Sequence, residues 1–204
     1  MNTTMESRRL GPFEFLMMNN PVRRWFQRSV EFPIFLRMLN RHCIDLTGKT
    51  IMDIGCGSGY STKLILEKLH PSRIEAFDLM PEQIELARKR RLAADFRVGD
   101  ATRIEAREVS VDVVFVFGIL HHIPEWKRAL EEMSRVVKPE GLLLLEEPRF
   151  VHLFDWLDLA AGIEQAGFSI LEQKPWFMGY FRSYLCRKMS PIEPKQAASS
   201  VSLH

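Results

Sequence analysis

Cysteine is scarce in this 204-residue chain. Cys43, Cys56 and Cys186 are odd in number and unrelated in spacing, which indicates neither a disulfide framework nor a zinc site. A reducing, cytoplasmic setting fits that usage. Charge of one sign is also lacking: 28 Lys and Arg stand against 26 Asp and Glu, a formal net charge of +2, so no bulk basic excess marks a nucleic-acid binder. No apolar run approaches the roughly 18 residues of a membrane-spanning helix. Glu14 interrupts the apolar stretch near the start, so no signal-peptide core is expected either. Integral membrane association is therefore not expected, and the oligomeric state stays open. No internal repeat is present.

What is present suffices for one domain with a full core and an appendage, at 46% hydrophobic and 26% charged residues. Residues 1–47 form an N-terminal helical segment. Residues 1–12 read as an unstructured start, and Phe13 to Cys43 carry Phe15, Met17, Met18, Trp25, Phe26, Phe32, Phe35, Leu36 and Leu39 among arginines. Pro21 and Pro33 interrupt this stretch, as breaks or as first-turn residues, which predicts two or three short amphipathic helices. They are expected to pack on the core or to serve as a lid over a ligand pocket. Arg23, Arg24 and Arg28 suit a solvated face, an anion site or contact with a membrane surface. The tail, 189–204, is rich in Ser, Ala and Pro and reads as disordered.

Between them, residues 48–188 alternate. Thr50 to Ile54 is a short apolar run for a buried strand, followed by the turn Gly55-Cys56-Gly57-Ser58-Gly59 and a helical pattern through Leu64, Ile65 and Leu69. Further strands are predicted at Arg73 to Asp78, Phe96 to Val98, Val111 to Phe117 and Leu142 to Leu145, the last reaching Glu146-Glu147-Pro148. Helices intervene after Pro81 and after Pro124, the second ending at Lys138-Pro139-Glu140-Gly141. The expected fold is a doubly wound, Rossmann-like α/β sandwich with right-handed crossovers. A helix near Asp155 to Ala166 then precedes an antiparallel pair, Phe168 to Gln173 and Tyr180 to Arg187.

In such a sheet, ligands bind beyond the carboxyl ends of the strands at the switch point. The unusual residues stand there: Asp53 with Gly55, Gly57 and Gly59, then Asp78, then Gly99-Asp100, then Phe117-Gly118 with His121 and His122, then Glu146-Glu147. Glycines admit positive φ and let a ligand approach the main chain. Asp78, 19 residues past Gly59, can take both hydroxyls of a ribose. Taken singly, each acid has the commoner use of capping a turn or a helix.

These residues resemble the class I S-adenosylmethionine-dependent methyltransferases over roughly residues 48 to 187. The matching pieces are DIGCGSG at the first strand, Asp78 at the second, VGDA at 98–101, FGILHHI at 117–123 and KPEGLLLLEEP at 138–148. The resemblance implies seven strands with the last antiparallel and S-adenosylmethionine as cofactor. It implies that Asp53, Gly55 and Gly57 shape the methionine side, Asp78 holds the ribose, Asp100-Ala101 face the adenine, and Phe117 and Gly118 line the reactive end. Cys56, Gly59, Tyr60, Leu79 and Met80 complete the expected cofactor contacts. A nicotinamide-dependent oxidoreductase would want G-x-G-x-x-G, but here the third glycine comes one residue early and Tyr60 follows.

Displacement at a sulfonium methyl chiefly requires alignment and exclusion of water. If the nucleophile must lose a proton, His121, His122 and Glu147 are the candidate bases. Equally, the two histidines can be turn residues that only pack. No metal is expected, since no further ligand lies at suitable spacing. With neither an NPPY-type motif nor a basic appendage, the expected acceptor is a small molecule, partly apolar if the N-terminal segment and Trp176-Phe177-Met178 wall its pocket. A non-catalytic scaffold that binds the nucleoside is the alternative; a pocket plugged by Trp176 or Phe15 would favour it.

Overall fold

The apolar run at 50–54 becomes strand β1 (Thr50–Ile54), and the glycine turn after it feeds a helix, as periodicity predicts. In the computed structural model, which describes residues 20–148 and 156–190, the strands that follow are β2 (Arg73–Asp78), β3 (Asp95–Val98), β4 (Val111–Phe117), β5 (Val137–Pro148), β6 (Phe168–Trp176) and β7 (Phe181–Lys188). They form one sheet in the order β3-β2-β1-β4-β5-β7-β6. β1 to β5 run parallel, while β7 is antiparallel to both of its neighbours. The order reverses between β1 and β4, which opens the crevice where ligands of such sheets lie.

Helices α3 (Tyr60–Leu69), α4 (Pro81–Arg88), α5 (Trp126–Val136) and α6 (Trp156–Gln165) cover the sheet with an N-terminal layer, α1 (Pro21–Phe26) and α2 (Phe32–Arg41). Alternate residues of the central strands feed two cores. Met52, Val114, Val116, Leu143 and Leu145 face Trp126, Leu130 and Ile163. Ile51, Val113, Phe115, Phe117 and Leu144 face α2 and α3 on the other side. Burial on both faces explains why β4 is an almost unbroken apolar run.

Pro21 and Pro33 are first-turn residues of α1 and α2, one of the two roles expected of them, while two other boundaries depart from expectation. Between α1 and α2 the chain winds as a π-helix over Gln27–Glu31, and the Phe32 N–H donates to the Gln27 carbonyl. That widened turn leaves room for the Pro33 ring and needs no N–H from it. β5 begins at Val137, opposite Val111, so Lys138 to Gly141 lie in the strand across a register shift instead of ending a helix. The β6–β7 pairing runs on through Lys174, Pro175 and Trp176, because β6 is the sheet edge, where a proline costs no ladder bond.

α2 is part of the core. Phe32, Ile34, Phe35, Met38 and Leu39 are all buried, and the Phe35 ring lies 5.9 Å from Phe115 and 5.3 Å from Phe117, edge-on to both. Any lid is thus confined to residues before α2. Phe15, Met17 and Met18 lie outside the described residues, as does the tail from 191 onward. Among the described residues, no helix is long and apolar enough to cross a membrane.

Candidate functional site

The turn after β1 adopts left-handed backbone at Gly55 and Gly57, with φ of +70° and +51°. A Cβ on Gly55 would fall 2.4 Å from Ile119 Cγ2, so only glycine lets these two strand ends close on each other. A cleft runs along the carboxyl edge from this turn. It is lined by Gly55, Gly57, Asp78, Leu79, Met80, Gln83, Asp100, Ala101, Gly118, Ile119, His122 and Ile123.

Asp78, at the end of β2, is held by its own backbone surroundings. Its Oδ2 accepts from the Gly57 N–H and its Oδ1 from the Met80 N–H, both at 2.9 Å. Burial raises its pKa and the two amides oppose that rise. Each oxygen keeps a second lone pair, enough for two vicinal hydroxyls of a ligand. At the end of β3, Asp100 Oδ1 accepts from Thr102 N and Oγ1, each at 2.8 Å, which fixes the turn that carries Ala101 into the cleft.

Asp53 is fully buried at the base of the glycine turn. Its Oδ2 accepts from Ser61 Oγ at 2.7 Å and Thr62 Oγ1 at 2.6 Å, while its Oδ1 is buried with no partner. Burial is the main cause that pushes its pKa up to about 6, against the two hydroxyl bonds. The proton on Asp53 therefore favours the folded state, and that stability is present at low pH and is lost as pH rises through about 6. Wild type should lose about 2 kcal/mol relative to Asp53→Asn between pH 4 and pH 7. Urea unfolding at both pH values checks this, and a difference that does not change with pH contradicts it.

The end of β4 brings together what the sequence singled out there, with one correction. Glu147 is not a free base. Its Oε1 accepts from Ile119 N at 2.9 Å and Leu120 N at 2.8 Å, and its Oε2 from His121 N at 3.3 Å and from His121 Nδ1 at 2.8 Å. The carboxylate is saturated, and it holds the 119–122 turn and the His121 ring. With Nδ1–H donating to that carboxylate, His121 Nε2 carries the lone pair. The ring edge lies against Gly118: a Cβ there would stand 3.8 Å from His121 Cε1. His122 lines the cleft, and the two imidazole centroids are 3.9 Å apart.

Two other expected residues sit elsewhere. Gly59 is not among the residues that line this cleft: a Cβ there would come 3.1 Å from Ala87 Cβ and from Phe96, so it serves close helix packing. Phe117 is 4% exposed and packs its ring among Phe32, Phe35 and Phe115, reaching only the margin of a second, smaller cleft. Cys56 is buried, and desolvation pushes its thiol pKa well up, as suits a packing residue. Tyr60 lies in the second cleft under the Arg90 guanidinium, 5.6 Å from its ring centre. Among the described residues, no group of side chains could hold a metal ion.

Sequence reasoning missed the contribution of α1. The second cleft opens between α1 and the glycine turn and is lined by Arg23, Arg24, Gln27, Gly57, Tyr60 and Ser61 among others. Arg24 Nε and Gln83 Oε1 are buried there without partners. Arg23 instead bonds Glu31 at 2.7 Å. Glu31 in turn neighbours Glu146, whose pKa is pushed well up by burial and by the Glu31 charge. Three arginines within six residues are the only sequence signal for this arrangement, and they equally describe a solvated face.

Comparison with known proteins agrees with this geometry. Residues 52–145 match the family described as Methyltransferase domain. The chain is 32% identical over 108 residues to phthiotriol/phenolphthiotriol dimycocerosates methyltransferase 1 of Mycobacterium ulcerans, covering 52% of this chain and 40% of that protein. It is 30% identical over 97 residues to malonyl-[acyl-carrier protein] O-methyltransferase of Serratia marcescens, covering 48% and 37%. The chain thus spans about two fifths of the length of these curated relatives. A SAM-dependent methyltransferase from Aquifex aeolicus has the same fold, with a TM-score of 0.72 at 17% identity over 88% of this chain and 99% of that one. Family match, sheet order and strand-end residues point the same way: residues 52–145, a little under half of the chain, match the methyltransferase-domain family.

Proposed function

We propose that the chain transfers a methyl group from S-adenosylmethionine to a small, partly apolar acceptor in the cytoplasm. One observation supports this most: the glycine turn, Asp78, Gly118 and His122 line a single cleft at the switch point, while His121, which is not among the lining residues, lies against Gly118 and is held there by Glu147. When bound, S-adenosylmethionine supplies a methyl on a sulfonium centre whose leaving group is a neutral thioether. Asp78 takes the two ribose hydroxyls on its remaining lone pairs. Asp100 and Ala101 face the adenine, and Leu79, Met80 and Ile119 cover it.

His121 accepts a proton from a hydroxyl or acidic carbon at Nε2, and Glu147 keeps the ring in that tautomer and steadies the imidazolium that forms. Glu147 is a positioning residue. His122 packs against the cofactor side. Trp176 does not plug the site: it stacks on Phe181 at 4.4 Å, donates to Ser183 Oγ and is not among the cleft residues. That favours an enzyme over a scaffold. Incorporation of tritium from methyl-labelled S-adenosylmethionine into cell metabolite and lipid extracts tests the function; no incorporation by a folded, cofactor-binding protein would leave the scaffold.

Arg24 suits the cofactor's α-carboxylate, because a buried, unpartnered guanidinium nitrogen beside the methionine end of the turn lacks the anion it needs. Arg24→Met should weaken S-adenosylhomocysteine by about 10- to 100-fold. Binding of 5′-methylthioadenosine, which has no carboxylate, should be unchanged. An equal loss for both ligands in calorimetry would place Arg24 elsewhere.

A further inference from the structure

The tip of the β6–β7 hairpin and α1 form one exposed apolar edge that the proposed chemistry does not use. Met178 is 99% exposed, Phe177 64%, Trp25 62% and Val22 72%. The two tips are joined from beneath, since Phe26 lies 5.7 Å from Trp176 and 6.0 Å from Phe181. Both tip residues of the hairpin sit in left-handed backbone, with φ of +47° at Phe177 and +55° at Met178. Asn and Gly are the ordinary occupants of such a turn, and a Phe-Met pair there costs backbone energy. The strain is carried for the sake of two apolar side chains aimed into solvent.

The charge around these tips has one sign. Residues 20–30 contain Arg23, Arg24 and Arg28 and no acid, and residues 173–182 contain Lys174 and Arg182 and no acid. The next acids are already paired: Glu31 is buried and bonded to Arg23, and Glu172, just before the hairpin window, is paired with Arg41 and His42. Protruding apolar tips ringed by cations match the boundary of an anionic bilayer, where rings and thioethers enter the acyl border and guanidinium and ammonium groups meet phosphate. The edge also has a direction. Phe181 pairs with Pro148, so the hairpin tip projects beyond the carboxyl end of β5, the same end of the sheet that carries Gly118 and His121.

We propose that this edge docks the protein on an anionic lipid surface through Trp25, Phe177 and Met178, with Arg28 and Lys174 on the headgroups. Docking in this pose turns the acceptor side of the cleft toward the lipid, so the acceptor class is a membrane-held amphiphile. That last step rests on the methyl-transfer reading; the docking itself does not.

The test is co-sedimentation of the full chain, without cofactor, with vesicles of phosphatidylcholine alone or mixed with phosphatidylglycerol. The chain should sediment with the mixed vesicles at low salt, and high salt should release most of it. Phe177→Ser with Met178→Ser should lower partitioning about tenfold or more, and Arg28→Glu with Lys174→Glu should abolish the preference for the anionic lipid. All variants should bind S-adenosylhomocysteine as wild type does, which shows that they fold. Absence of binding to the mixed vesicles overturns the proposal, as does binding that the hairpin substitutions leave unchanged. A self-association in sedimentation velocity that the same hairpin substitutions abolish would assign the edge to a second copy of the chain and equally overturn it. Loss of S-adenosylhomocysteine binding by wild type with docking intact would strike the methyl-transfer reading alone.

Discussion

His121→Gln is expected to lower methyl transfer by roughly 10²-fold or more while S-adenosylhomocysteine binds as before. The expectation rests on the ring's partners. Nδ1 is engaged by Glu147 Oε2 at 2.8 Å, and that carboxylate is itself anchored by three backbone amides. A general base needs a fixed ring with an acceptor nitrogen, and the bond from Nδ1 to Glu147 fixes the ring and leaves Nε2 as that nitrogen. Gln can occupy the volume but cannot take the proton. Glu147→Gln should act through the same ring, reducing kcat and shifting the acidic limb of its pH profile. The measurement is the initial rate of tritium incorporation into the responsive extract fraction. Full activity of His121→Gln would reduce the ring to a turn residue.

Phe35→Ala is expected to cost about 3 to 5 kcal/mol of unfolding free energy. Phe35 is 1% exposed and meets Phe115 and Phe117 edge-on, so its removal leaves a cavity between α2 and the centre of the sheet. Backbone amides of 32–41 should correspondingly be protected from hydrogen exchange with and without S-adenosylhomocysteine. Urea unfolding reads the loss. A cost below about 1 kcal/mol would make α2 a loosely held cover and return the whole segment to the role of a lid.

The parts of this molecule legible in its sequence are those dictated by period and burial. β1 and β4 end at Ile54 and Phe117 as their apolar runs predict, because strands buried on both faces are apolar almost throughout, and β2 ends at Asp78 as expected. The place of Asp78 in the cleft was legible because a strand-end acid after a glycine turn is a positional signal. The rest depended on contacts across the fold. Pro33 reads equally as a break or as a first-turn residue, and only the fold, with a π-turn leading into α2, shows that it is the latter. Lys138 to Gly141 have the composition of a helix end, and only the Val111–Val137 pairing makes them strand. Glu147 looks like a base because nothing local reveals the amides from residues 119–121 that occupy it. Arg24 differs from Arg23 and Arg28 only in what surrounds it after folding.

The central claim is that the cleft at the β1–β4 switch point holds the nucleoside of S-adenosylmethionine through Asp78. Titration calorimetry of S-adenosylhomocysteine into wild type and into Asp78→Ala tests it most directly. Saturable binding to wild type, weakened about 10- to 100-fold in a variant whose urea unfolding shows an intact fold, is the result expected from losing a charged acceptor of two hydroxyls. A folded wild-type chain that takes up no S-adenosylhomocysteine, or a folded Asp78→Ala with an unchanged dissociation constant, would contradict it.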